Sequence, residues 1–172
     1  SSFGLQGQKC SACSRVFIEE PVYDELVEKI VALTNKIAIG DPSEKSVWIG
    51  PVINKSSYQD YKDFTAELAQ SGKILTGGKV LTEGELGKGY FCAPTLVADL
   101  PYDHRLWQHE MFLPITTIGK IKDLEQGMKL ANEVAYGLTA GFYGSEDEVK
   151  WFFEKIEAGV VYANRQQLAT TG

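Results

Sequence analysis

Short apolar runs alternate along this chain with amphipathic stretches of helical spacing, and that alternation limits the folds open to it. Arg15 to Ile18 reads as a short strand, and Pro21 then opens a helix where a missing backbone donor costs nothing. Val22, Leu26, Ile30, Leu33 and Ile37 recur at helical spacing and predict one apolar stripe laid on a flat partner. A second helix is expected from near Ser56, where Ser56 and Gln59 have capping-box spacing. Its inward face carries Tyr61, Phe64 and Leu68, and Gly72 stops it.

Lys73 to Thr76 predicts another short strand, and the glycine-rich stretch Glu83 to Gly89 an exposed loop. Phe91 to Val97 and Pro114 to Ile121 read as longer strands. Asp123 with Gln126 caps a third helix running to about Ala135, and Ser145 with Glu148 a fourth carrying Val149, Phe152 and Ile156. Thr139 to Tyr143 and Gly159 to Ala163 are the remaining strands. Strands separated by helices of this length require crossovers, so the expected fold is α/β, a mainly parallel sheet flanked by helices. Residues 1–172 are read as one domain, long enough for a proper core. The abrupt opening ahead of residue 10 and the loop-like close Ala169-Thr170-Thr171-Gly172 suggest a fragment.

The balance of 17 basic against 23 acidic residues, a net charge of −6 without long blocks, argues against nucleic acid or an anionic membrane as partner. No apolar run approaches the roughly 20 residues of a spanning helix. Three cysteines, an odd number, argue against a disulfide framework and make a reducing compartment, the cytoplasm, the expected location.

One segment stands out chemically: Gln6-Gly7-Gln8-Lys9-Cys10-Ser11-Ala12-Cys13-Ser14-Arg15. A reactive thiol needs exposure, nearby positive charge and backbone N–H groups aimed at a developing anion. A helical turn from about Gly7 to Ser14 would put the Cys10 N–H near a helix start, with Cys13 turned inward. Three other readings stay open: a Cys10/Cys13 dithiol, half of a zinc site, or two small packed residues. The zinc site is short of paired ligands, since only Cys92, His104 and His109 remain. Glu110-Met111-Phe112-Leu113-Pro114 sets an acid and an aromatic before a strand, a pattern suited to a ribose diol and a flat ring. Asn164-Arg165 follows the last strand, where parallel sheets commonly place sites.

Taken in order, Phe3 to Cys10, Gly50-Pro51, Tyr90-Phe91 with Pro94-Thr95, Glu110 to Pro114, Asn132-Glu133 with Tyr136 to Thr139, and Asn164-Arg165 resemble the catalytic domain of the aldehyde dehydrogenase superfamily. Within it, Gly7-Gln8-Lys9-Cys10-Ser11-Ala12 looks most like members that oxidise L-glutamate γ-semialdehyde to glutamate with NAD in proline breakdown. The resemblance implies Cys10 as nucleophile, its backbone N–H helping to hold an oxyanion. It implies Glu110 on the nicotinamide-ribose hydroxyls, Phe112 beside the nicotinamide, Ser11 on a substrate carboxylate and Gly172 starting the loop at the substrate's other end.

NAD is the implied cofactor, with NADP also open, because the residues that meet the adenosine ribose fall outside the matching segments. No metal is implied, the partner is a small aldehyde, and the parent is expected to be a homo-oligomer. The family's general-base glutamate, oxyanion-hole asparagine and dinucleotide-binding domain precede the position of Ser1, so the 172 residues alone are expected to be inactive. Leu113 stands where the family usually has glycine, and the loop from Asn164-Arg165 to Thr171-Gly172 is longer than in the best-known members. The rival from another class is a non-catalytic interaction domain that keeps this fold.

Overall fold

The computed structural model describes residues 2–165 of the chain. β1 (Arg15–Glu19) runs straight into α1 (Glu20–Thr34), with Pro21 in the first helical turn. There follow α2 (Lys55–Ser71), β2 (Lys73–Thr76), β3 (Thr95–Ala98), β4 (Ile115–Ile121), α3 (Leu124–Asn132), β5 (Thr139–Phe142), α4 (Glu146–Lys155) and β6 (Val160–Ala163). The main sheet has the order β1-β4-β3-β2. Its central strand β4 is parallel to β1 and to β3, and β2 closes one edge antiparallel. β5 and β6 pair in parallel as a second, two-stranded sheet. The predicted mainly parallel α/β fold is present, with its strands divided between two sheets among the described residues.

Both faces of the main sheet are covered, so its inner strands read as continuous apolar or threonine runs rather than alternating ones. β3 is buried throughout, and β4 is buried except at Lys120. Successive residues point to opposite faces. Leu96 and Ile118 join Phe3, Ile18, Tyr23 and Ile49 in one core cluster, while Val97 and Ile115 join Tyr61, Leu68, Leu106 and Trp107 in the other. α1 therefore belongs to one face and α2 to the other. Tyr61 ties the second face together: its hydroxyl lies 2.7 Å from both the Ala93 carbonyl, to which it donates, and Thr95 Oγ1. Among the described residues no helix is long and apolar enough to cross a membrane.

Several local expectations need correction. The stripe on α1 is turned: Val22, Leu26 and Leu33 are exposed, while Tyr23 and Thr34 are buried and Val27, Ile30 and Val31 pack on the core. Both sets have helical spacing, and only the sheet decides between them. α2 is capped by Asn54, whose Oδ1 accepts from the Ser57 N–H at 2.8 Å. The Gln59 amide instead donates to Asp63, one turn on. The loop after Glu83 contains a 3-10 turn at Gly84–Lys88. The strand expected from Phe91 begins only at Thr95, because Pro94 brings no N–H to a ladder; Cys92 makes a single bridge with Val80. The caps of α3 by Asp123 and of α4 by Ser145 and Glu148 are as expected, the latter a complete capping box.

Candidate active site

Because β1 and β4 are parallel neighbours, with Arg15 opposite Thr117, the segments leading into them meet at one end of the sheet. Residues 2–14 lead into β1 and residues 108–114 into β4. The turn carrying Cys10 and the segment carrying Glu110, a hundred positions apart in sequence, are thereby brought to the same end of the sheet. The cleft between these segments is lined by Gly7, Lys9, Ala12, Cys13, Glu110 and Phe112, among others; Cys10 stands on its rim segment without lining it. It lies at the amino ends of the strands, not at the carboxyl ends where a parallel sheet commonly holds its ligands.

The backbone around Cys10 differs from the predicted helix. A 3-10 turn occupies Gly4–Gly7, and Leu5 and Gln6 inside it take left-handed φ values of +53° and +59°. Gly7 follows at +68°, packed against the Leu113 carbonyl. The 3-10 turn ends there, and Gln8, at φ −86° and ψ 56°, does not begin a helix. Cys10 instead sits in a single turn closed by the Ala12 N–H donating to the Lys9 carbonyl at 2.9 Å. Its setting owes nothing to a helix start.

That turn is anchored on both sides. On the side of β1, the Cys13 carbonyl accepts from Thr116 Oγ1 at 3.2 Å and the Ser14 carbonyl from the Thr117 N–H at 2.9 Å. On the other, the end of the Gln6 carboxamide lies 2.7 Å from the Gly50 N–H, a donor that assigns the amide oxygen to that position. Gln8 Oε1 accepts from the Ile53 N–H at 2.9 Å, and its Nε2 donates to Ser57 Oγ at 3.3 Å. No periodicity or spacing in the sequence announces the partners of these two glutamines.

The three thiols fall into different environments. Cys10 is exposed, Cys13 half-buried and Cys92 buried. The Cys13 thiol donates to the Arg15 carbonyl at 3.4 Å, and burial pushes its pKa up. Burial pushes Cys92 up to about 12. Tyr162 on β6 is also pushed up to about 12, by burial and then by the neighbouring Cys13 and Tyr143. A buried neutral thiol is a poor nucleophile, which leaves Cys10 as the thiol open to solvent.

Glu110 is exposed on the segment before β4, and Phe112 presents its ring 43 % exposed. Phe112 holds φ at +55°, whereas Leu113 lies outside the left-handed region. The replacement of a family glycine by Leu113 therefore meets no backbone obstacle. Ser11 is buried, 5 % exposed, within the Cys10 turn. Gly172 lies outside the described residues. Asn164, at φ +51°, is engaged with Gly144: its Oδ1 accepts from the Gly144 N–H at 3.0 Å and its Nδ2 donates to the Gly144 carbonyl at 2.9 Å. That is a loop-closing role.

Known proteins resemble this chain over nearly its whole length. Residues 1–171 match the aldehyde dehydrogenase family. A 1-pyrroline-5-carboxylate dehydrogenase of Anoxybacillus flavithermus is 39 % identical over 166 residues, covering 96 % of this chain and 32 % of that protein. The Bacillus subtilis protein of the same name is 40 % identical with the same coverage. Among solved structures, a Thermus 1-pyrroline-5-carboxylate dehydrogenase with bound NAD superposes with a TM-score of 0.89 at 32 % identity, over 96 % of this chain and 31 % of that one. The chain thus spans about a third of the length of the relatives it matches. On the match of almost its whole length, the chain belongs to the aldehyde dehydrogenase family.

Proposed function

We propose that these residues are the catalytic part of an NAD-dependent aldehyde dehydrogenase that oxidises L-glutamate γ-semialdehyde to glutamate. The observation that supports the proposal is that exposed Cys10 stands on a turn whose neighbours Lys9 and Ala12 share a cleft with Glu110 and Phe112 at one end of the sheet. Cys10 Sγ adds to the aldehyde carbon, forming a C–S bond as the carbonyl opens to an oxyanion. When the carbonyl re-forms, hydride leaves that carbon and a thioester remains on Cys10. Water then attacks the thioester carbon, the C–S bond breaks, and carboxylate and thiol are released.

The cofactor fits the residues present. The exposed Glu110 carboxylate has acceptor capacity for both hydroxyls of a ribose diol, and the exposed face of Phe112 suits a flat ring. NAD, when bound, supplies the hydride acceptor. Glu110 orients the ribose, and Phe112 limits where the ring can lie relative to Cys10. Ser11 is assigned to a substrate carboxylate and Gly172 to the start of the loop at the substrate's other end, roles that follow from the resemblance.

The 172 residues alone are proposed not to sustain turnover, because orientation and electrostatic preorganisation supply much of an enzyme's rate. The test is an aldehyde panel on the protein extended to the length of its relatives. Glutamate semialdehyde should drive NAD reduction far better than an uncharged aldehyde of similar length, and Cys10→Ala should abolish it. Reduction that survives Cys10→Ala, or no preference for the carboxylated aldehyde, contradicts the proposal.

A further inference from the structure

We propose that Gln8 is a positioning residue for Cys10, an inference that rests on the reading of Cys10 as the nucleophile. Gln8 stands two residues before the thiol, and its carboxamide is used at both ends. The oxygen accepts from the Ile53 N–H at 2.9 Å and the nitrogen donates to Ser57 Oγ at 3.3 Å. Ile53 lies in the exposed loop just before α2, whereas Ser57 belongs to the helix itself. The Ser57 N–H is held by the capping Asn54, and Ser57 lies in the first turn of α2. α2 is in turn fixed in the core by Tyr61 and Leu68, both fully buried.

The Cys10 turn is thereby suspended between two rigid supports, α2 through Gln8 and β4 through Thr116 and Thr117. Between them, the Ala12 N–H donates to the Lys9 carbonyl within the turn. Without the Gln8 clamp the turn samples further conformations, and the fraction that presents the thiol outward falls. A reaction at Cys10 slows in proportion to that fraction. Few side chains can replace this one, because the clamp asks one group to accept from an N–H and also engage a hydroxyl. Glutamate retains both contacts once the Ser57 hydroxyl rotates to donate, whereas methionine keeps the volume and loses both.

The experiment is iodoacetamide labelling of the native 172-residue chain, resolved by peptide at each cysteine. Gln8→Met should slow labelling of Cys10 about fivefold, the expected scale for losing a modest hydrogen-bonded clamp. Gln8→Glu should restore it to within about twofold on the same scale, and Cys92 should stay protected in both. Ser57→Ala, which removes only one contact and spares Gln8 itself, should give a smaller slowing and serves where Gln8→Met fails to fold. An unchanged Cys10 rate in Gln8→Met, or a slowing that Glu does not restore, overturns the assignment. So does a change at Cys10 that is matched by exposure of Cys92, which marks general loosening. If Cys10 in the unsubstituted chain labels no faster than Cys13, the nucleophile reading and the Gln8 assignment fall together. If that contrast holds with no Gln8 effect, the assignment falls alone.

Discussion

A methyl group placed on Gly7 would lie 2.3 Å from the carbonyl oxygen of Leu113, far inside contact distance. This approach joins the segment carrying Cys10 to the segment carrying Glu110 and Phe112. It works only because Gly7 lacks a side chain and adopts a φ of +68°. Gly7→Ala should therefore destabilise the fold by about 2 kcal/mol or more, combining left-handed strain with a backbone clash. Urea unfolding checks this: the midpoint should fall with little change in slope. A midpoint like that of the parent chain would mean the two segments are not in register through this contact.

The cap of α2 gives a sharper local test, because two residues compete for the role in the sequence. Asn54→Ala removes the acceptor for the Ser57 N–H and should cost about 1 kcal/mol. Ser56→Ala, inside the helix, should change stability by no more than about 0.5 kcal/mol. Thermal melts of the two variants decide between them, and the reverse order would restore the capping assignment expected from spacing.

Burial of Cys92 makes a statement about pH. Its pKa is raised from 9.0 to about 12, so the native state keeps a proton that the unfolded chain releases. Stability from this group is fully present below pH 9 and is lost as pH rises toward about 12. Urea midpoints on either side of pH 9 should fall more steeply for the parent than for Cys92→Ala, although the variant starts lower at neutral pH because of the cavity. Equal alkaline losses in both chains would contradict the burial account.

The legible parts of this molecule are those decided locally. Asp123 and Ser145 cap their helices as spacing demands, because a cap is a contract among four residues. The α1 stripe was not legible: Val22, Leu26 and Leu33 compete with Tyr23, Val27 and Val31 at equal spacing, and the choice belongs to the sheet beneath. The helix expected around Cys10 is absent: the 3-10 turn ends at Gly7, and the chain from Gln8 to Ser14 forms only the turn at Lys9–Ala12. Cys10, Glu110 and Phe112 stand out by resemblance alone, and what brings their segments together is not local. Their convergence depends on the parallel pairing of β1 with β4, and the glutamine clamps depend on the placing of α2; neither is written in any local pattern.

The account stands most directly on covalent chemistry at one sulfur. The protein extended to its relatives' length should be mixed with glutamate semialdehyde and NAD, quenched in acid during turnover, and its cysteine peptides weighed. The peptide containing Cys10 should carry the mass of a glutamyl thioester, absent without NAD, while the Cys92 peptide stays unmodified. Steady turnover with no acyl adduct on Cys10, or with the adduct on another residue, would contradict the account.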